Sequence, residues 1–245
     1  MGKLLYFIWK NEDCRSKGIR LATPIPIVRP EERVKHVEIP GRSGDLTQLE
    51  GENIFNSYIQ TASIMVPGWY HIREVYSWLR GSGFVTFHGE PDRRQMARII
   101  GAITLNKHSR NLDTWSGDVQ FYCEPFKELL RSPDVEVLLN NGAYTNNVIR
   151  NNGDAKCYPL IHLTVDGSST VTLTVGGKTL TMTGMGSSGA RYWIDSETQQ
   201  LLNNGLVSNF TYRTSGDFPA FEKGNNTITG SGWSKLVISK RERYI

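Results

Sequence analysis

Along most of this chain apolar and polar positions alternate every second residue, the periodicity of half-buried β-strands. In the first half the pattern predicts strands at Leu4–Trp9, around Ile25-Pro26-Ile27-Val28, over the β-branched run Ile59–Val66, and at Gly83–His88, Ala97–Asn106 and Asp118–Cys123. Turn chemistry at Pro40–Asp45 and at Glu90-Pro91-Asp92 separates them. One stretch has a different period. Trp69, Ile72, Tyr76 and Leu79 recur three and four residues apart, which predicts an amphipathic helix over 69–80 with that stripe facing the core. Gly68 suits its start, and Arg80 followed by Gly81 suits its end.

Between Glu124 and Pro133 the strand pattern is interrupted by Pro125, the Lys127-Glu128 pair and Ser132-Pro133, and a new series of strands starts at Val135. Candidates follow at Leu160–Val165, Thr170–Val175, Thr179–Thr183, Tyr192–Ile194, Leu206–Tyr212, Asn226–Thr229 and Leu236–Ser239, with Gly176-Gly177 as a two-residue hairpin signal. Short, closely spaced strands without a helix predict a β-sandwich or jelly roll of about 110 residues. The chain is therefore read as mainly β in two domains. Residues 1–132 form a β-rich, split-barrel or sandwich-like domain with one packed helix, and residues 133–245 a β-sandwich.

The length of 245 residues agrees with two domains. A formal charge of +4 is thin, and 17 basic against 15 acidic side chains up to residue 130, with 11 against 9 beyond, leave neither half a basic arm. Sequence-specific DNA binding is disfavoured. No apolar run approaches the roughly 18 to 20 residues of a membrane span. The apolar stretch Leu4–Trp9 is too short for a signal peptide, stops at Lys10 and lacks a small-residue cleavage site. Cys14, Cys123 and Cys157 lie far apart with no C-x-x-C pair, which excludes a disulfide framework by spacing and fits a reducing compartment.

Candidate chemistry is sparse. Gly184–Gly189 matches G-x-G-x-x-G, but Arg191-Tyr192-Trp193-Ile194 after it reads as a strand, whereas a dinucleotide site needs a helix there. The five histidines never pair at metal-ligand spacing, so no metal and no cofactor are expected. Glu90, Asp92, Asp113 and Asp118 are loop carboxylates without a recognisable catalytic partner, and there is no Gly-x-Ser-x-Gly elbow. No catalytic residue is assigned, and an enzyme is not expected. Trp193, Tyr212 and Trp233 could stack on sugar rings, which keeps open a carbohydrate-binding module contacting host cell-wall glycans.

A more specific signal lies at Ile39-Pro40-Gly41-Arg42-Ser43-Gly44-Asp45-Leu46. It resembles the Pro-Gly-Arg-x-Gly-Asp-Leu loop of the distal tail proteins of long, flexible-tailed (siphovirus-type) bacteriophages and prophages. More of that family's pattern follows in order: the 69–80 segment leading into Gly83-Phe84, the turn at Pro91-Asp92, Phe121–Phe126, Asn151-Asn152-Gly153, Pro159, Ile194-Asp195, Phe218-Pro219 and Gly224-Asn225-Asn226. Departures are Arg93-Arg94, where the family often carries aromatics, and Lys223, where it commonly has proline. The resemblance implies a hexameric ring at the virion tail tip, assembled in the bacterial cytoplasm. That ring would join the tail tube to the hub and to receptor-binding or accessory baseplate proteins, with DNA passing through its lumen. It also implies that the first domain builds the ring and that the second is galectin-like. Within this frame Gly41, Arg42, Ser43, Gly44 and Asp45 are the expected subunit interface, with Arg42 and Asp45 able to pair across it. The bland alternative is an exposed hairpin turn.

Overall fold

The computed structural model describes residues 5–49, 51, 54–108, 110, 112–140, 143–203 and 209–245. It divides into two compact units, one reaching to Leu130 and including Ile245, the other Arg131–Tyr244.

The first unit is built on an antiparallel sheet of β1 (Phe7–Trp9), β2 (Glu12–Asp13), β3 (Arg20–Leu21), β6 (Tyr58–Pro67), β7 (Ser82–Phe87), β8 (Arg93–Ile100), β9 (Asn106–Lys107) and β10 (Thr114–Leu129). The strand order is β2-β1-β7-β8-β10-β6-β3, with β9 on the end of β10. Two strands separate β1 from β10, which in a flat sheet would hold them about 14 Å apart. Yet the rings of Phe7 and Trp9 on β1 lie 5.4 and 5.6 Å from that of Phe121 on β10. The sheet is therefore curled around an aromatic core that also takes in Ile64, Val66, Val85 and Val119.

Helix α1 (Ile72–Trp78) closes this core, preceded by a 3-10 turn over Trp69–His71. Its buried side keeps Ile72 and Leu79 of the expected stripe but not Trp69 and Tyr76. Val75 and Leu79 are buried and Ile72 and Trp78 pack beside them, while Trp69 and Tyr76 face solvent at 69% and 40% exposure. The 3-10 turn advances three residues per turn rather than 3.6, so Trp69 leaves the helical phase. The helix is also shorter than expected, and its entry is held by Asp113, whose carbonyl accepts from Gly68 N (2.6 Å) and whose carboxylate accepts from Trp69 N (3.2 Å).

Other expectations also change. Residues 25–28 form no strand, as Pro24 and Pro26 remove two ladder donors. Leu4 lies outside the described residues, and the strand expected there is Phe7–Trp9. Residues 101–105 leave the strand expected to run to Asn106. In contrast, β10 continues past Pro125. Its register on β8 shifts between Cys123 and Lys127, so that residues 124–126 stand opposite Met96 alone and the proline sits in a bulge. Beyond the bulge Lys127 is buried, with its ammonium 2.6 Å from Glu90 Oε2. The interruption begins only after Leu130, whose N–H still donates to Asp92 O.

The second unit is a sandwich of two antiparallel sheets. One contains β11 (Val135–Asn140), β12 (Ala143–Thr145), β14 (Leu160–Val165), β17 (Arg191–Asp195), β18 (Gln200–Asn203) and β21 (Trp233–Ser239). The other contains β13 (Val148–Asn151), β15 (Thr170–Val175), β16 (Lys178–Thr183), β19 (Thr214–Gly216) and β20 (Gly224–Ser231). Alternate residues point inward, so Ile161, Leu163 and Ile194 from the first sheet meet Val171, Leu173, Leu180 and Ile228 from the second. Gly176 and Gly177 turn the β15–β16 hairpin with φ of 57° and 79°, as a type I′ turn requires. The strand expected over Leu206–Tyr212 falls partly outside the described residues, and Thr211–Arg213 is a 3-10 turn.

The final segment fastens to this sandwich by alternating its side chains. Lys240 and Glu242 are buried and paired at 2.5 Å, and the Glu242 carboxylate also accepts from Asn152 N (2.9 Å) and Tyr244 OH (2.8 Å). Arg241 grips Asp195 with both terminal guanidinium nitrogens at 2.8 and 3.3 Å, and Arg243 reaches Glu197 at 2.9 Å. Burial alone would raise both acids. The Arg241 guanidinium nevertheless holds Asp195 below its ordinary value, and the Asn152 N–H with Lys240 and Tyr244 does the same for Glu242.

Candidate assembly site

The expected interface loop is the tip of a feature that the alternation pattern did not reveal. β4 (Val34–Val37) and β5 (Leu46–Leu49) form a two-stranded ribbon that joins no other sheet among the described residues. At its base Arg33 N donates to Ile54 O (2.9 Å), Asn56 N donates to Glu31 O (2.8 Å), and buried Phe55 meets the Phe126 ring edge-on at 5.8 Å. At its tip Arg42 N donates to Ile39 O (3.1 Å). Gly41 and Gly44 take φ of +83° and +82° there, where a β-carbon would touch nothing but the backbone conformation is strained for other residues.

Pairing places Val34 opposite Leu49 and His36 opposite Thr47 on one face, and Lys35 opposite Gln48 and Val37 opposite Leu46 on the other. Each face thus carries one apolar and one polar pair, and neither is covered: Leu46 is 47% and Leu49 59% exposed. A two-stranded ribbon on its own is marginal in water, and the outer edge of a strand is a template for pairing with another chain. Arg42 and Asp45 have no ion-pair partner among the described residues, each other included. The structure therefore places the five expected residues at the tip of an arm whose apolar pairs are exposed and whose Arg42 and Asp45 have no ion-pair partner among the described residues.

The three aromatics considered for glycan contact are not gathered. Trp233 is fully buried and stacked on Tyr144 at 5.1 Å, so it belongs to the core and not to a glycan surface. A bulge on β21 is the cause: Thr164 pairs with Lys235 but Val165 with Trp233, and the extra residue turns the indole inward. Trp193 lies outward on the six-stranded sheet, stacked on His162 at 4.2 Å, where burial lowers the histidine's pKa. Tyr212 is 75% exposed in the 3-10 turn, beside the guanidinium of Arg213, which also covers Phe210 at 4.6 Å. No ring contact joins Trp193 to Tyr212 among the described residues.

Three of the four carboxylates singled out have structural partners, and Asp118 lies within β10 and not in a loop. Glu90 meets Lys127 and Arg93, Asp113 holds the entry of α1, and Asp118 accepts from Ser63 Oγ at 2.7 Å. Residues 184–189 run into β17, and among the described residues no three His, Cys, Asp or Glu side chains gather as metal ligands. The three cysteines are buried and unpaired, with burial pushing Cys123 and Cys157 up to about 12.

No family model matches this sequence, and no curated protein matches it. Among solved structures, the crystal structure of the SPP1 Dit (gp 19.1) protein superposes with a TM-score of 0.76, covering 99% of this chain and 100% of that one at 16% identity. The chain has the Dit fold. SPP1 Dit is described as a paradigm of the hub adsorption apparatus in phages that infect Gram-positive bacteria. The match spans both units, so the curled first sheet and the second sandwich both belong to the Dit architecture.

Proposed function

We propose that this protein is a structural, non-enzymatic component of a bacteriophage tail tip. In this reading copies of its first unit close head-to-tail into a ring, six-membered as in the sequence resemblance, between the tail tube and the hub. The observation that carries the proposal is the full-length correspondence with a hub adsorption protein at 16% identity, because both units are matched and neither chain has a large unmatched part. The free ribbon supports it: a head-to-tail ring needs a surface that engages a different surface on the next copy. The second unit would display or dock receptor-binding and accessory proteins. DNA would cross the lumen in transit, which a near-neutral protein suits because each neutralised phosphate adds affinity.

Native mass spectrometry and negative-stain imaging of the full-length protein test this directly. Closed rings of one fixed copy number are expected, and monomer alone at every micromolar concentration and salt condition overturns the reading. Gly44→Val adds strain at the ribbon tip without entering the core, so it should cut ring yield while leaving soluble monomer intact. Unchanged ring yield would remove the tip from the interface.

A further inference from the structure

The inward face of the curled sheet changes character toward one end. Along β6, β8 and β10 its buried positions hold Ala62, Ile64, Ala97, Val119 and Phe121, and then Gln60, Gln95 and Lys127, each of these last three 5% exposed or less. Polar side chains at such positions are costly unless partners replace the water they lose. Lys127 has Glu90, 2.6 Å away. The two amides are less well provided for. Gln95 Oε1 accepts from Tyr58 OH at 3.0 Å, but its buried Nε2 has no oxygen or nitrogen partner among the described residues, and the neighbouring Cys123 thiol is a weak acceptor. Gln60 has no side-chain partner among the described residues either.

These three residues line a cavity of about 20 Å3 that is walled by Ile25–Val28, Tyr58 and Val85, with Ile27, 66% exposed, at its mouth. It has room for the end of a side chain or a very short acid, and excludes a sugar or a nucleotide. Its chemistry is one of spare donors. The Lys127 ammonium keeps N–H groups beyond the one given to Glu90, and Gln95 keeps Nε2. Glu90 has both oxygens engaged, Oε2 by Lys127 and Oε1 by Arg93 at 3.4 Å. Arg93, Arg94 and Lys127 line the cavity against the single carboxylate of Glu90, and Glu128, which does not line it, takes up part of the Arg94 charge at 3.3 Å. The surplus is cationic, which favours an acceptor with a negative charge over a neutral carbonyl. We propose that this cavity binds one carboxylate group, with Lys127 Nζ and Gln95 Nε2 donating to its oxygens and the Gln60 amide completing the lining. A free short-chain acid and an Asp or Glu side chain of another protein present the same group. The site does not depend on the ring reading, and it gives the two amides a use that the Lys127–Glu90 pair does not.

Isothermal titration calorimetry and thermal unfolding of the full-length protein near neutral pH, with sodium acetate against sodium chloride at matched ionic strength, test it. Acetate should bind saturably at one site per chain and raise the unfolding midpoint of the first unit, as a ligand of the folded state does, and chloride should do neither. Gln95→Leu should weaken acetate binding about tenfold, the loss expected for one hydrogen bond to a charged group. Because that change also deprives Tyr58 of its acceptor, Gln60→Leu is the cleaner variant. It breaks no side-chain hydrogen bond among the described residues, so without acetate it should unfold at or above the wild-type midpoint while its stabilisation by acetate shrinks. A tripeptide with blocked ends and a central glutamate separates the two sources: binding at least as tight as that of acetate assigns the site to a protein side chain, and binding of acetate alone assigns it to a free acid. Acetate that binds no better than chloride, or that binds both leucine variants as tightly as the wild type, overturns the proposal and leaves the ring reading standing.

Discussion

Replacing Glu242 by glutamine removes a charge from the centre of the C-terminal fastening while keeping the side chain's size. In the folded second unit the carboxylate is 3% exposed and accepts from Lys240, Asn152 and Tyr244. The amide keeps one acceptor oxygen but leaves the Lys240 ammonium, itself 9% exposed, without a counter-charge. Breaking one member of a buried pair costs about 3–5 kcal/mol, chiefly because the remaining charge is stranded out of water. At about 4 °C per kcal/mol for a domain of slightly more than 100 residues, Glu242→Gln should lower the unfolding midpoint of the second unit by roughly 12–20 °C. Lys240→Met combined with Glu242→Gln should cost less than the sum of the single changes, with a coupling of about 1 kcal/mol or more. Urea unfolding of the full-length protein gives the free energies, and hydrogen exchange of the amides of β20 and β21 assigns the loss to the second unit. A loss below about 1 kcal/mol, or strict additivity, would refute the claim that residues 240–244 are fastened through a buried ion pair.

Acidification should weaken the second unit in two stages, visible as a falling denaturant midpoint. His162 has a folded pKa below its ordinary value, so its contribution is full above pH of about 6.5 and is lost as pH falls through the folded value. Asp195 and Glu242 are also lowered, so their contributions are present above the unfolded carboxylate range near pH 4 and disappear on further acidification. A midpoint flat from pH 7 to 3 would contradict both. Cys14, Cys123 and Cys157 should resist a thiol reagent at pH 8 until denaturant is added, since all three are buried and the last two are held up to about 12; rapid labelling of the native protein would show the core to be open. Trypsin should cut first at Arg131 rather than Lys127, which is 5% exposed and inside β10, and the fragment from residue 132 onward should stay folded. Early cleavage at Lys127 would place the end of the first unit before the bulge.

The second unit was the more legible half. Strict alternation at Leu160–Val165 and Thr170–Val175, together with two glycines at a position that demands positive φ, marked its strands and one of its turns. In the first unit the signal failed where local geometry departed from one regular period. The ribbon carries its apolar residues three apart, at Val34 and Val37 and again at Leu46 and Leu49, because each face receives only one apolar pair; no period of two exists to be seen. Its turn residues were visible, which is why the tip was found and the arm was not. Trp69 read as core because a 3-10 turn and an α-helix cannot be told apart by spacing over so few residues. Trp233 read as accessible because a one-residue bulge leaves no trace in composition. Pro125 suggested a boundary, and the actual end of the strand depends on pairing with Asp92, a contact between residues far apart in sequence.

The uninterrupted course of β10 has a mechanical consequence. This strand leads to the covalent connection between the two units, and it lies inside its sheet, hydrogen-bonded to β6 on one side and β8 on the other. A pull applied at Arg131 first meets residues 127–129, which pair with β8 alone, and only then residues 120–123, which are held on both sides. To go further it must rupture both ladders over residues 120–123 and then the rest of the ten residue pairs with β6. The bulge around Pro125 adds a step in the register, so the strand cannot slide by a residue pair at a time past β8 without carrying a misfit along. If the protein serves at a tail tip, as proposed, load on the second unit would open the short Lys127–Leu129 ladder first and be arrested where β10 is held between β6 and β8.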